Sequence, residues 1–327
     1  MPTGGKRDIR LASVERGFSR LTGDVELTEQ DMVILVEGLV KRYDDVVAVD
    51  RLSFEVGRGE LFGLLGPNGA GKTTTIRILM DILQPDAGRV RILGRRPGDA
   101  KERVGYLPEA RGLYRDVKVL NMLVYLAELK GASRADADRR ARSMLERVRL
   151  DDWADRKVKE LSRGMQQRLQ FVASLVHEPE LLILDEPFQG LDPVNTERLK
   201  EFVEEMRRSG KTIVLSTHQM NLVEALCDRI LLIDHGRAVL YGHLSQIKEE
   251  YAPNVVRLRA DRVPAGLPGV VSSEPDDGAC HLTLDEGVDP QSLLRSLVER
   301  GVEVREFEVA PVPLEAIFVE VVGGEEA

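Results

Sequence analysis

Gly66-Pro67-Asn68-Gly69-Ala70-Gly71-Lys72-Thr73-Thr74 is a run in which most residue types suit phosphate chemistry. It fits the pattern G-x-x-x-x-G-K-[ST], whose backbone N–H groups cradle phosphates ahead of a helix. Gly69 and Gly71 permit backbone angles and close approach that a side chain would obstruct. Lys72 supplies a point charge for the β- and γ-phosphates of a nucleotide. Thr73 offers a hydroxyl to Mg²⁺, a cation that takes hard oxygen ligands. Without a ligand the run would be only a glycine-rich turn. A second run, Leu181-Leu182-Ile183-Leu184-Asp185-Glu186-Pro187, is apolar and ends in two carboxylates. Asp185 suits the Mg²⁺ shell, through water. Glu186 is placed to polarise an attacking water. Alone the two acids could simply be solvated at a turn; beside a phosphate loop they read as the hydrolytic half of one site.

Such residues need elements that bring them together. The apolar run 61–65 predicts a strand entering the glycine loop, and 73–83 predicts a helix closed by Pro85. An acid at the carboxyl end of a parallel strand lies at the sheet edge where ligands bind. Further strands are expected at 33–36, 46–49, 52–56, 88–93, 103–107 and 212–216. Residues 117–150 carry a helical pattern, with Leu120, Leu123, Val124 and Ala127 on one stripe and Met144, Leu145 and Val148 on another. Residues 162–177 and 193–208 are also helical in pattern. This alternation indicates an α/β domain over 31–250 with a largely parallel sheet and a helical insert at about 110–178. Beyond Tyr251 the pattern changes to short strands, a hairpin-type turn at Asp277-Gly278, a helix at 291–300, a strand at 302–309 and a short apolar helix at 313–322. That describes a small α+β accessory domain over 252–327. Residues 1–30 read as a flexible extension, with a short helix near 14–21.

Composition narrows the function classes. A length of 327 residues suggests about two domains. With 43% hydrophobic and 31% charged residues the chain is globular, and its net charge of −9 argues against tenancy on a phosphate backbone. No apolar run reaches the ~18 residues of a membrane span, and no secretory signal opens the sequence. Cys227 and Cys280 are far apart and suit a reducing compartment. Cys280-His281 is read as structural rather than metal-binding.

Over residues 33–245 the motifs together resemble the nucleotide-binding subunit of an ABC transporter. Leu161-Ser162-Arg163-Gly164-Met165-Gln166-Gln167 resembles the family's signature, Gly190-Leu191-Asp192-Pro193 its D-loop, and Ser216-Thr217-His218 its switch-histidine segment. Tyr43 stands where the family stacks an aromatic on adenine, and Tyr106-Leu107-Pro108-Glu109 occupies the Q-loop position. The resemblance implies a P-loop NTPase of ABC type, with a mainly parallel sheet core, an antiparallel β subdomain and a helical subdomain. It implies ATP and Mg²⁺ as cofactors, with Thr73, Asp185 and Glu109 toward the metal and Lys72, Glu186 and His218 as catalytic residues. His218 would contact the γ-phosphate and fix the water. Ser162 and Gly164 open a helix, so a hydroxyl, backbone donors and a dipole would meet the γ-phosphate held by a second chain. Asp192 would lie at the seam of this head-to-tail dimer, either a homodimer or a heterodimer with a paralogous ATPase.

The same resemblance implies a separate transmembrane permease, docked near Arg111, Leu113 and Tyr114, and a peripheral position on the cytoplasmic face of the membrane. No nucleic acid is expected. Two departures stand out: Arg163 and Met165 replace a Gly and the Gln of the usual signature, and Glu109 replaces the Q-loop Gln. Both are similar to a prokaryotic exporter subgroup with a C-terminal domain, which favours export. A competing reading is a soluble ABC ATPase acting on DNA or ribosomes. Against it, Ser162 follows Lys72 by only 90 residues without sustained heptads, and there is one ATPase unit. A decayed, non-hydrolysing relative is opposed by the intact Lys72, Asp185, Glu186 and His218. The transported substrate is not legible, because its pathway lies in the permease.

Overall fold

The structure is a computed structural model that describes residues 31–110, 112–251, 255–264, 266–276, 279–285, 287–309 and 313–323. The expected N-terminal extension, the turn at Asp277-Gly278 and Arg111 lie outside the described residues. The chain divides into two units, the first ending at Leu244 and the second beginning at Ser245. The pattern change at Tyr251 comes one short helix later.

In chain order the first unit contains β1 (Met32–Tyr43), β2 (Val46–Gly57), β3 (Leu61–Leu65), α1 (Lys72–Leu79), β4 (Ala87–Ile92), β5 (Val104–Leu107), α2 (Val119–Leu129), α3 (Arg134–Arg147), α4 (Arg163–Leu175), β6 (Leu181–Asp185), α5 (Pro193–Arg208), β7 (Thr212–Thr217), α6 (Met220–Leu226), β8 (Arg229–Asp234) and β9 (Arg237–His243). Two sheets result. An antiparallel one has the order β2-β1-β4; the other has the order β5-β6-β7-β3-β8-β9 and is parallel except for β9. Strands β3, β6 and β7 are buried along their whole length, which explains their near-continuous apolar runs. Phe54 of the antiparallel sheet stacks on Phe62 of the parallel one, with ring centroids 5.7 Å apart, so the two sheets share a core.

Several elements differ from the sequence pattern for local reasons. Residues 46–57 form one strand, not two. Arg51 takes φ 51° as a bulge between the pairs Val49–Lys41 and Leu52–Leu39, and the ladder continues past it. Helix α1 stops at Leu79 because Asp81 turns left-handed (φ 54°) and the Ile82 N–H donates to the Arg77 carbonyl at 2.8 Å. The helical stretch 117–150 splits at Gly131 (φ 89°), and Ser133 caps α3 by accepting the Asp136 N–H. Both halves and α4 nonetheless share one apolar core, including Leu123, Val124, Leu145, Leu169 and Val172; Met144 and Val148 are only partly buried.

The second unit contains α7 (Leu244–Glu250, which begins at the division), β10 (Val255–Ala260), β11 (Val270–Asp276), β12 (Ala279–Leu284), α8 (Pro290–Glu299), β13 (Val304–Val309) and α9 (Leu314–Gly323). Its sheet is antiparallel, in the order β11-β12-β10-β13. Alternate residues Val256, Leu258, Leu282 and Leu284 form its core with Leu293 and Leu297 of α8. Cys280 joins that core, with its sulfur 3.0 Å from the Ser273 hydroxyl. Among the described residues no helix is long and apolar enough to cross a membrane.

Candidate functional site

Strands β6, β7 and β3 are neighbours running in one direction, so their carboxyl ends share one edge of the sheet. That edge is where open α/β sheets bind ligands. Asp185 ends β6 and is registered against Ser216; Thr217 ends β7; the glycine loop leaves β3. The loop packs closely on its surroundings. A Cβ at Gly66 would lie 2.1 Å from the Ile233 carbonyl oxygen, and one at Gly71 (φ 108°) 2.4 Å from that of Ala48. No side chain fits at either position.

The result is a cleft of about 350 Å³ lined by Pro67, Asn68, Gly69, Ala70, Gly71, Lys72, Thr73 and Thr74 from the loop and α1. Glu109, Asp185, Glu186 and His218 line it as well. The sequence reading missed Ala48 and Gln189, which also line it. Gln189 follows Glu186 by one turn, its N–H donating to the Glu186 carbonyl at 3.2 Å, so turn spacing after the acids was an available signal. For Ala48 the sequence carries no signal.

Lys72 is 7% exposed and donates to the carbonyls of Gly66 (2.7 Å) and Pro67 (3.0 Å). Burial lowers its pKa, opposed by Glu186, Asp185 and Glu109. Asp185 is 2% exposed; burial raises its carboxyl pKa, the Ser216 hydroxyl opposes this, and Glu109 and Glu186 add to it. Its Oδ2 has no hydrogen-bond partner among the described residues. A buried carboxylate oxygen without a partner is a position for a missing ligand. With Thr73 in the same cleft, the donor set is hard oxygen and fits Mg²⁺. Among the described residues no three His, Cys, Asp or Glu side chains could hold a metal by themselves, so such an ion would complete its shell with water and phosphate oxygens.

Glu186 is 6% exposed and held from two sides. Its Oε2 accepts the Thr217 hydroxyl at 3.0 Å, and its Oε1 accepts the His218 backbone N–H at 3.0 Å. His218 Nδ1 lies 2.7 Å from the same Oε1. An ionised carboxylate only accepts, so Nδ1 carries the proton in this pair. Three of the roughly four acceptor positions of the carboxylate are used; one remains on Oε2.

The other sequence candidates lie outside this cleft. Ser162 caps α4, its hydroxyl accepting the Met165 N–H at 3.3 Å. Gly164 has open space where a side chain would stand. Asp192 caps α5 through the Asn195 N–H at 3.0 Å. Tyr43 is 42% exposed at the end of β1, with the Lys41 ammonium 5.8 Å from its ring centre. None of the four is among the cleft residues of its own chain.

Comparison with known proteins gives consistent matches. Residues 49–189 match a model described as ABC transporter, and residues 242–322 one described as ATP-binding protein DrrA1-3-like, C-terminal domain. The chain is 39% identical over 296 residues to YhaQ of Bacillus subtilis, an uncharacterized ABC transporter ATP-binding protein, covering 89% of this chain and 99% of that one. It is 34% identical over 313 residues to the daunorubicin/doxorubicin resistance ATP-binding protein DrrA of Streptomyces peucetius, covering 90% and 94%. A solved ATP-binding subunit of an ABC transporter superposes with a TM-score of 0.63 at 33% identity, over 67% of this chain and 93% of that one. These relatives are transporter proteins, which disfavours the DNA or ribosome reading.

Proposed function

The chain belongs to the ATP-binding subunits of ABC transporters and is an ATPase, and from that premise we propose how its residues work and with what. Lys72 exchanges the Gly66 and Pro67 carbonyls for the β- and γ-phosphates of ATP. Tyr43 stacks on the adenine. Thr73 and Asp185 would hold Mg²⁺, with Glu109 a further candidate ligand in the same cleft. When bound, the ion offsets charge on the phosphates. Glu186, oriented by Thr217 and His218, uses its remaining acceptor position for the attacking water and takes its proton. His218 keeps Nδ1 on Glu186 and presents its other ring nitrogen to the γ-phosphate.

Ser162, Gly164 and Asp192 act on a second copy or a paralogous ATPase, in a head-to-tail dimer. The reading is supported by their standing at helix N-termini outside the cleft of their own chain. A separate permease completes the transporter. Supporting its docking, a groove of about 290 Å³ includes Leu113, Leu126 and Leu129, and Tyr114 pairs edge-to-face with Tyr125 beside it, all in the helical region. Export on the cytoplasmic side of the membrane follows the similarity to DrrA and to the Nod factor export ATP-binding protein I of Ralstonia nicotianae. Residues 31–250 act as the ATPase domain and 252–327 as an accessory domain.

The observation that carries the mechanism is the triple anchoring of Glu186 in the same cleft as Lys72 and the partnerless Asp185 oxygen. Phosphate release by the purified chain, with Mg²⁺ and with EDTA, tests it. Equal rates in the two would overturn the Mg²⁺ assignment. Purification of the tagged chain from membranes tests the permease: a polytopic membrane protein should accompany it in stoichiometric amount, and its absence would count against the docking reading.

A further inference from the structure

A second cleft, of about 360 Å³, lies in the first unit between the end of α3, the middle of α4 and residues 195–205 of α5. It shares no residue with the phosphate cleft. Its volume falls within the ~300–1,000 Å³ of small-molecule sites. Part of its lining is apolar: Phe171 and Phe202 meet edge-to-face with centroids 5.2 Å apart, and Leu199 lies beside them.

Four arginines line the same cleft. Arg147 is satisfied, since it pairs with Glu205 and lies over the Phe202 ring, 4.3 Å from its centre. The other three are not. Arg149 and Arg198 have no ion-pair partner among the described residues. Arg168 donates one N–H to the Val148 carbonyl at 2.5 Å, while its Nε is buried without a partner. Burial, then Arg198, and more weakly Arg149 lower the Arg168 pKa, with Asp192 opposing. A guanidinium does not deprotonate in proteins, so Arg168 stays charged, with burial and neighbouring guanidiniums offset only in part by Asp192. Glu201 is the one lining carboxylate left against three guanidiniums. The local excess runs opposite to the chain's net charge of −9.

We propose that this cleft binds a small phosphate-bearing anion, its phosphate held by Arg149, Arg168 and Arg198 and its apolar part resting on Phe171 and Leu199. Three guanidiniums from three segments suit the tetrahedral oxygens of a phosphate better than one planar carboxylate, which a single fork satisfies. Helix α4 begins after Ser162 and α5 after Asp192, so a ligand bridging these helices ties together the two segments assigned to the dimer seam. Control of hydrolysis by the ligand rests on that mechanistic reading; binding does not.

Calorimetry of the full chain, with the phosphate loop blocked by Mg²⁺ and a non-hydrolysable ATP analogue, tests the site with phenyl phosphate and with inorganic phosphate. Both should bind at one per chain, phenyl phosphate more tightly. The exposed pair Arg149→Gln/Arg198→Gln should weaken both at least tenfold, whereas Lys72→Ala should leave both unchanged. No saturable binding, or binding lost in Lys72→Ala and kept in the arginine pair, would overturn the proposal. Phenyl phosphate should also change the wild-type hydrolysis rate at least twofold and leave the arginine pair unaffected. Intact binding with an unchanged rate would overturn the control step alone.

Discussion

His218 Nδ1 lies 2.7 Å from Glu186 Oε1, and the two residues follow the carboxyl ends of neighbouring strands β7 and β6. The carboxylate proposed as general base is therefore held by a group that follows the adjacent strand. Glu186→Gln keeps the shape and removes the basicity. It should bind ATP normally and hydrolyse it ~10²–10⁴-fold more slowly. An ATP-bound dimer should then accumulate on size-exclusion chromatography. A wild-type turnover rate in this variant would remove Glu186 from the mechanism.

Thr217→Val nearly preserves volume and deletes the hydroxyl that bonds Oε2 at 3.0 Å. The same hydroxyl accepts the Gln219 N–H at 3.1 Å, but the bond that orients Glu186 is worth about 1 kcal/mol net, so kcat should fall roughly five- to tenfold. KM for ATP should not move, because Thr217 is not among the residues that line the cleft. Steady-state kinetics separate the two; a raised KM with unchanged kcat would contradict an orienting role.

Lys72 and Ser162 are assigned to opposite chains of one site. Lys72→Ala and Ser162→Arg proteins should each be nearly inactive alone. Mixed, they form heterodimers with one intact site, and activity should return to roughly a quarter of wild type, within the non-additivity of coupled sites. Full activity of Ser162→Arg at concentrations where it is monomeric would rule out the shared site.

His177 is a pH probe of the fold. Burial lowers its pKa from 6.5 to about 4, while its Nε2 lies 3.1 Å from the Val104 carbonyl, partly offsetting that shift. Between those values the unfolded chain binds a proton that the folded chain does not. Stability is therefore fully present above about pH 6.5 and is lost as pH falls toward 4, by about 1–3 kcal/mol. Thermal melts across that window should show the decline, and His177→Gln should flatten it. An identical slope in the variant would place the effect elsewhere.

What the sequence revealed was local in kind. Lys72, Thr73, Asp185 and Glu186 were legible because a loop between strand and helix, or an acid after an apolar run, is written in consecutive residues. The alternation of strands and helices was legible for the same reason. Ala48 was not, because it enters the cleft from the antiparallel sheet through a close approach to Gly71 that only the folded chain creates. The end of α1 was misread because Asp81 adopts a left-handed turn that glycine usually supplies. The arginine cleft was invisible: its charges come from three segments whose adjacency depends on how α3, α4 and α5 pack.

The in-register alignment of β6, β7 and β3 has a consequence for heat inactivation. Asp185, Thr217 and the start of the phosphate loop are tied to one another through the ladder of a fully buried sheet. Backbone hydrogen bonds in such strands open only with the whole domain. The spacing of these groups thus persists up to the melting transition and disappears with it. Glu109 is the exception, since it leaves β5, the edge strand of the sheet, for the helical region with its separate core. If Glu109 acts at the metal as proposed, loss of activity below the melting temperature would start there while the rest of the site stays assembled.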